Sequence, residues 1–249
     1  DRPGMLLDRV TWFVAGANEW KGAPSLEAIA DRELVLHLRS DGTADSVFAA
    51  GALVEERARE GAAADVDIFV YDPLDTSKAE RPSSDAYITD QAEVLHTDGD
   101  GLIYHSAPFD APTEITGTFR FEAWVELDVP DTDINVTLYE ILPDGSSIAL
   151  AGETMRMRFR NSLTEPELMT PGQVERIVFQ RPYFFSRLIG EGSRLRLFVR
   201  PSNGLNNQRH YNAPGPVSKQ TKADARTATV KLHLGPETPT RLVLPVVDR

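Results

Sequence analysis

The sequence predicts an all-β fold: a jelly-roll β-sandwich with long loops and at most short helices. Three observations carry this prediction. Apolar and polar residues alternate at period two in several separate stretches, the spacing of strands half-buried on one face. Gly and Pro, 17 of each in 249 residues, fall between those stretches and mark turns. No strand–helix–strand rhythm runs along the chain, which argues against a parallel sheet.

"VTWFVA" (10–15) reads as a strand, broken by the glycines and proline of "GANEWKGAPS". "RELVLHLRSDG" (32–42) is a second strand closed by Asp41-Gly42, a favoured turn pair. Residues 44 to 64 have helical composition, yet Gly51 interrupts them and the apolar face is short, so helix and non-helix stay open. "DIFVYDPLDTSKAERPSSDAY" is a short strand followed by a long polar loop. In "ITGTFRFEAWVELDV", Phe119, Phe121, Ala123, Val125 and Leu127 share one face, with Arg120, Glu122, Trp124 and Glu126 on the other. Ile134, Val136 and Leu138 repeat the pattern before the Pro143-Asp144-Gly145 turn. "TMRMRFR" sets Met155, Met157 and Phe159 against Arg156, Arg158 and Arg160. "RLRLFVR" sets Leu195, Leu197 and Val199 against Arg194, Arg196 and Phe198, and "ATVKLHLG" adds Val230, Leu232 and Leu234.

Lys+Arg 26 against Asp+Glu 38 gives a net charge of -12, which argues against nucleic acid or an anionic membrane as partner. With Cys 0, disulfides, thiolate metal sites and a cysteine nucleophile are excluded. No run reaches the roughly 18 apolar residues that span a bilayer. The expected class is soluble, with cytoplasmic and exported locations both open. "DRPGMLLDRV" lacks an initiator Met and a signal peptide, so the expectation is a piece of something longer.

Three groups of residues are candidates for a site. Asp131, Asp133 and Asn135 stand two apart, the beginning of an oxygen cage for Ca²⁺ or an acidic turn in which Asp131 accepts backbone N–H bonds after Pro130. The structural turn is the reading adopted. Trp124 and the arginines 156, 158, 160, 194 and 196 point away from the predicted core, either to pair with Glu122 and Glu126 or to face another domain. "NNQRHYN" and its surroundings place Asn203, Arg209, His210 and Asn212 in a polar loop able to touch a ligand. The histidines at 37, 96, 105, 210 and 233 form no HExxH arrangement, and GxSxG and GxxxxGK are absent. The expectation is no catalytic residue, no metal and no cofactor within these 249 residues.

"SAPFDAPTEITGTFRFEAWVELDVPDTDINVTLYEILPDGSS" resembles the C-terminal domain of the CocE/NonD hydrolases, the relatives of cocaine esterase, α-amino acid ester hydrolase and X-Pro dipeptidyl-peptidase. "FVAGANEWKGAP", "RELVLHL", "FVYDPLD", "MRMRFRNS", "PGQVERI", "IGEGSRLRLFV" and "TRLVLPVV" agree in order, from about Val10 to Val247. The resemblance implies a galactose-binding-like jelly roll over 31–249. It implies that 1–30 are the linker from an upstream α/β-hydrolase domain plus the first strand. The Ser-Asp-His triad of that family maps onto none of these residues. Two departures bear on substrate preference: Gly192-Ser193-Arg194 replaces a glycine-histidine-arginine, and "SNGLNNQRHYNAPG" replaces a proline-arginine-asparagine loop.

The function implied is therefore a non-catalytic accessory domain that stabilises a serine hydrolase and walls its active-site entrance. Its partner would be the upstream domain of the same protein, with a homo-oligomer as a further possibility. A carbohydrate- or ligand-binding β-sandwich and a self-contained hydrolase with an unfamiliar site are the two rival expectations.

Overall fold

The computed structural model describes residues 8–57, 65–79, 90–204 and 207–248. Along them run β1 (Val10–Val14), β2 (Glu19–Ala23), β3 (Arg32–Arg39), β4 (Gly51–Val54) and β5 (Val66–Tyr71). A short helix α1 (Ala92–His96) is followed by β6 (Leu102–Ser106), β7 (Thr113–Gly117), β8 (Arg120–Leu127), β9 (Asp133–Ile141) and β10 (Ser147–Arg156). The chain ends with β11 (Val174–Phe179), β12 (Phe185–Ile189), β13 (Arg194–Pro201), β14 (Ala228–His233) and β15 (Arg241–Val247). The described residues are thus almost entirely strand and loop, an all-β fold.

β1 and β2 form a separate hairpin, and the other thirteen strands form one sheet whose main path is β10-β9-β13-β6-β4-β3-β15-β8-β14-β5. β11 adds to β8, while β12 pairs with β7 and β7 with β15. Strands distant in this order share a single core: Leu138 of β9, Leu197 of β13, Leu36 of β3, Phe121 of β8 and Leu242 of β15 belong to one buried cluster. The sheet must therefore curl back on itself. The alternation accounts for this, since each strand carries an apolar face and these faces leave the water together only by turning toward one another. The Phe121 and Phe179 rings lie 5.8 Å apart inside this core.

Two stretches differ from the sequence expectation. Residues 47–49 form a 3-10 turn and 51–54 form β4, so the described part of the ambiguous segment is not a helix. Residues 58–64 lie outside the described residues. "TMRMRFR" is not a strand throughout: β10 stops at Arg156 and Met157–Phe159 is a 3-10 turn. A turn of three residues per revolution rotates successive side chains by about 120° rather than 180°, which breaks the inward–outward alternation at Arg158.

β13 departs in another way. Its outward residue Phe198 is buried with Ile103, Tyr139, Ile141 and Val94 of α1 in a second cluster. The central strands β6, β9 and β13 are thus covered on both faces, and period two there does not mean one wet face. A third cluster, built on Trp12, Val14, Ala23 and Ile29, seats the β1–β2 hairpin against Leu188 and Val247. Lys21 of that hairpin donates to the buried Glu114 of β7 at 2.6 Å.

Candidate functional site

Asp131 precedes β9 and is fully buried. Its Oδ1 accepts the backbone N–H of Arg158 at 2.8 Å, across 27 residues of sequence. Its Oδ2 accepts Arg158 Nε at 2.5 Å and His210 Nε2 at 2.6 Å. The expected bond from the local turn after Pro130 is thus replaced by long-range ones. Arg158 also donates from Nη2 to Ala213 O at 3.1 Å and Gly215 O at 3.0 Å. His210 Nδ1 accepts the Asn212 N–H at 2.9 Å, so Nε2 carries the hydrogen shared with Asp131. Asn212 holds a left-handed φ of 60 and accepts from Thr132 Oγ1 at 2.9 Å. One carboxylate therefore clamps two loops distant in sequence.

Asp133 and Asn135 serve other partners. Arg156 meets Asp133 in a two-pronged pair at 2.9 and 3.0 Å. Asn135 donates to Thr154 Oγ1 at 2.9 Å and accepts from Thr137 at 2.9 Å. Each acid is paired with its own guanidinium. Among the described residues no group of three or more His, Asp or Glu is placed to hold a metal ion.

The proposed ligand loop is not an open one. His210 and Asn212 are buried. Arg209 Nη1 reaches Pro73 O at 2.9 Å and Asn203 Oδ1 at 3.0 Å, which fastens the loop to residues 72–75. His210 and Asn212 are thus spent inside the chain, while Asn207 and Gln208 are exposed and Asn203 and Asn207 line a surface cleft.

The outward arginines also divide. Arg158 and Arg196 are buried. The side chain of Arg160 is enclosed too, 4% exposed, with Nη2 at 2.8 Å from Glu175. A side chain enclosed by its own chain has no surface to offer a neighbour, so these three leave the set of contact residues. Arg156 and Trp124 are half-buried and Arg194 is exposed. Glu122 does not pair with any arginine of that set. It accepts Arg176 at 2.7 Å, Arg241 at 2.9 Å and Arg120 at 2.9 Å. Glu126 takes Lys231 at 2.7 Å and His233 at 3.2 Å. The register explains this: Arg176 stands opposite Trp124, and Arg241 opposite Glu122, on neighbouring strands.

Burial alone would raise the Glu122 carboxyl, but the hydrogen bonds from Arg176, Arg120 and Arg241 outweigh it and hold it at about 2. The folded value lies below the unfolded one, so ionisation favours the fold. This stabilisation is complete above the ordinary glutamate range and fades as pH falls toward 2. Glu122→Gln is expected to cost about 1–2 kcal/mol at pH 7. Urea unfolding should show the gap between variant and wild type shrinking steadily from pH 5 to pH 2.5. A gap that stays constant over that range would mean the charge contributes nothing.

None of the five histidines hydrogen-bonds a serine among the described residues. His105 accepts from Arg196 at 2.7 Å, His210 and His233 face carboxylates, and His37 Nδ1 and His96 Nε2 are buried without a partner. No helix among the described residues is long and apolar enough to cross a membrane.

The family model described as "X-Pro dipeptidyl-peptidase C-terminal non-catalytic domain" matches residues 6–243. The chain belongs to this family. As an X-Pro dipeptidyl-peptidase C-terminal non-catalytic domain it is 28% identical, over 98% of its own length and 42% of the relative, to cocaine esterase of Rhodococcus sp. (strain MB1 Bresler). An aminopeptidase from a marine sediment archaeon, Thaumarchaeota archaeon, superposes with TM-score 0.83 at 20% identity, over 100% of this chain and 42% of that one. An α-amino acid ester hydrolase superposes with TM-score 0.81 at 20% identity, over 96% of this chain and 41% of that one. These two likenesses show a shared fold. The chain spans about two fifths of the length of the relatives it matches.

Proposed function

We propose that this non-catalytic domain is the C-terminal accessory part of a serine hydrolase that cleaves ester, amide or X-Pro peptide bonds. In this reading the curled sheet is a jelly-roll β-sandwich over 31–249, and residues 1–30 lead in from an upstream α/β-hydrolase domain. The domain stabilises the parent and walls its active-site entrance. The observation that carries the reading is the family match over 6–243. The buried clamp at Asp131 supports a scaffold role, because its polar groups are spent on holding loops.

The face around Trp124 is the proposed contact with the upstream domain. Three guanidiniums share the single carboxylate of Glu122 there, beside a half-buried indole. Arg and Trp on one surface are the residue types that dominate protein interfaces.

The test is serine labelling with a fluorophosphonate probe, read by intact mass, on the parent and on the 249-residue chain. The expected result is one label on the parent and none on the chain. Stoichiometric label on the chain itself would overturn the accessory reading.

A further inference from the structure

Of the seven asparagines in the chain, Asn203 is the one followed by glycine. That pairing carries a chemistry of its own. The Gly204 nitrogen and the Asn203 Cγ each lie two bonds from the Asn203 Cα. Rotation about one backbone bond and one side-chain bond therefore closes them into a five-membered ring. A Cβ on the following residue would crowd this closure, and glycine has none.

The fold presents the pair to water. Asn203, Gly204 and Asn207 line the same surface cleft as Lys78, Glu93 and Arg200. Asn203 and Gly204 are half-buried. Asn207 steadies them from both sides: its backbone N–H donates to Gly204 O at 3.1 Å and its Nδ2 to Ser202 Oγ at 3.0 Å. The Gly204 N–H has no acceptor among the described residues. Three Asp-Gly pairs offer a contrast. Gly42 donates to Ser40 Oγ at 3.0 Å, Gly99 to Asp45 O at 2.9 Å and Gly145 to Leu142 O at 2.9 Å. There the ring-closing nitrogen is engaged, and a carboxylate is a weaker electrophile than an amide.

Arg209 completes the arrangement. Its Nη1 donates to Asn203 Oδ1 at 3.0 Å. Attack of the glycine nitrogen on Cγ builds negative charge on that oxygen, and a guanidinium already bonded to it stabilises the charge as it forms. The other end of the amide is held more weakly, with Nδ2 donating to Asp75 O at 3.4 Å.

We propose that Asn203 is a self-modification site, at which Gly204 closes on the side-chain amide and Arg209 stabilises the oxyanion, so that the asparagine becomes an acid. The Gly204 N–Cγ bond forms and the Cγ–Nδ2 bond breaks. Ammonia leaves with the proton given up by the glycine nitrogen. Water then opens the cyclic imide at either carbonyl, giving aspartate or its β-linked isomer. An amide and a water become an acid and ammonia, and nothing is oxidised or reduced. The product changes the cleft. Lys78 is already paired with Asp100 at 3.1 Å and Arg200 with Glu93 at 2.7 Å, so the new carboxylate is an added negative charge. It gains a charge-assisted bond from Arg209 and loses the donor to Asp75 O. The fastening of this loop to residues 72–75 is thereby altered with no reactant beyond water. The inference is independent of the accessory role proposed above.

The experiment incubates the intact, folded parent in heavy-oxygen water at mildly alkaline pH, and peptide mapping reads the heavy-oxygen acid formed at each asparagine. Acid at Asn203 is expected to accumulate roughly tenfold faster than at the exposed Asn161, which precedes Ser162. Gly204→Ala should remove most of that advantage, since its Cβ would also lie 3.3 Å from Asn207 Nδ2. Arg209→Met is expected to slow conversion roughly threefold or more, and Arg209→Lys to recover part of the rate. Loosening of the loop alone would raise the rate, so the sign of the change separates charge stabilisation from mobility. Equal conversion at Asn203 and Asn161 would overturn the site. Conversion at Asn203 only after unfolding in urea would show that the fold forbids ring closure, and would overturn it as well. Fast conversion that is unchanged or faster in Arg209→Met would overturn the part assigned to Arg209.

Discussion

Asp131→Ala is expected to destabilise the domain by about 3–5 kcal/mol in chemical denaturation. The side chain is fully buried and accepts three hydrogen bonds, from the Arg158 backbone, the Arg158 guanidinium and the His210 ring. Truncation leaves a buried guanidinium with carbonyl partners at Ala213 and Gly215 but no anion. It also strands a backbone N–H and an imidazole N–H, each costing about 1–3 kcal/mol when buried and unpaired. Local opening should precede global unfolding, because the clamp holds the loop of Asn212 and its left-handed backbone. Amide exchange in residues 209–226 is therefore expected to accelerate more than exchange in β8. The double variant Asp131→Leu/Arg158→Met removes both charges and should recover a large part of the loss, since replacing a buried pair by apolar groups is often neutral. A single-variant loss under about 1 kcal/mol would show that water already serves the site and that the clamp is not structural.

The clamp also shows what could be read from the sequence. The period-two pattern located β8, β9, β13 and β14, because alternation is a local consequence of a pleated strand with one buried face. The spacing of two points to Asp131, and the polar composition of "NNQRHYN" points to His210. Neither signal joins them, since a hydrogen bond across 79 residues leaves no local spacing to detect. Arg158 departs from the alternation for a different reason. The alternation in "TMRMRFR" continues in the sequence past the point where the strand ends at Arg156 and a 3-10 turn begins. Arg196 and Phe198 read as outward residues because a strand covered on both faces keeps the same period as a half-covered one. A phenylalanine on the supposed wet face of "RLRLFVR" was the available sign that α1 covers it. The ring of arginines around Glu122 comes from β8, β11 and β15, and only the strand order brings those together.

Gly51→Ala is the second change with a large expected effect, about 3 kcal/mol, at the upper end of overpacking costs. Gly51 breaks the helical composition of residues 44 to 64, and its place in the fold explains why no larger residue is found there. It opens β4 opposite Tyr104 of β6, in a parallel pairing of three residues. A Cβ would lie 2.5 Å from Tyr104 Cδ1 and 2.7 Å from the carbonyl oxygen of Arg39. Neither neighbour can retreat cheaply. The carbonyl belongs to β3, and Tyr104 is fully buried with its hydroxyl donating to the buried Asp67 at 2.7 Å. Burial raises the Asp67 carboxyl, and an unpartnered Oδ1 remains beside the bond that Tyr104 donates. Rotating the ring to admit a methyl group would break the hydrogen bond and leave that carboxyl with no donor from Tyr104. The strain therefore falls on the β4–β6 pairing, which links the β9–β13–β6 half of the sheet to the β3–β15–β8 half. Faster amide exchange at Leu53 and Ser106 should accompany the lower urea midpoint. A loss below about 1 kcal/mol, with exchange unchanged, would mean that β4 and β6 separate without cost and that the sheet does not depend on their contact.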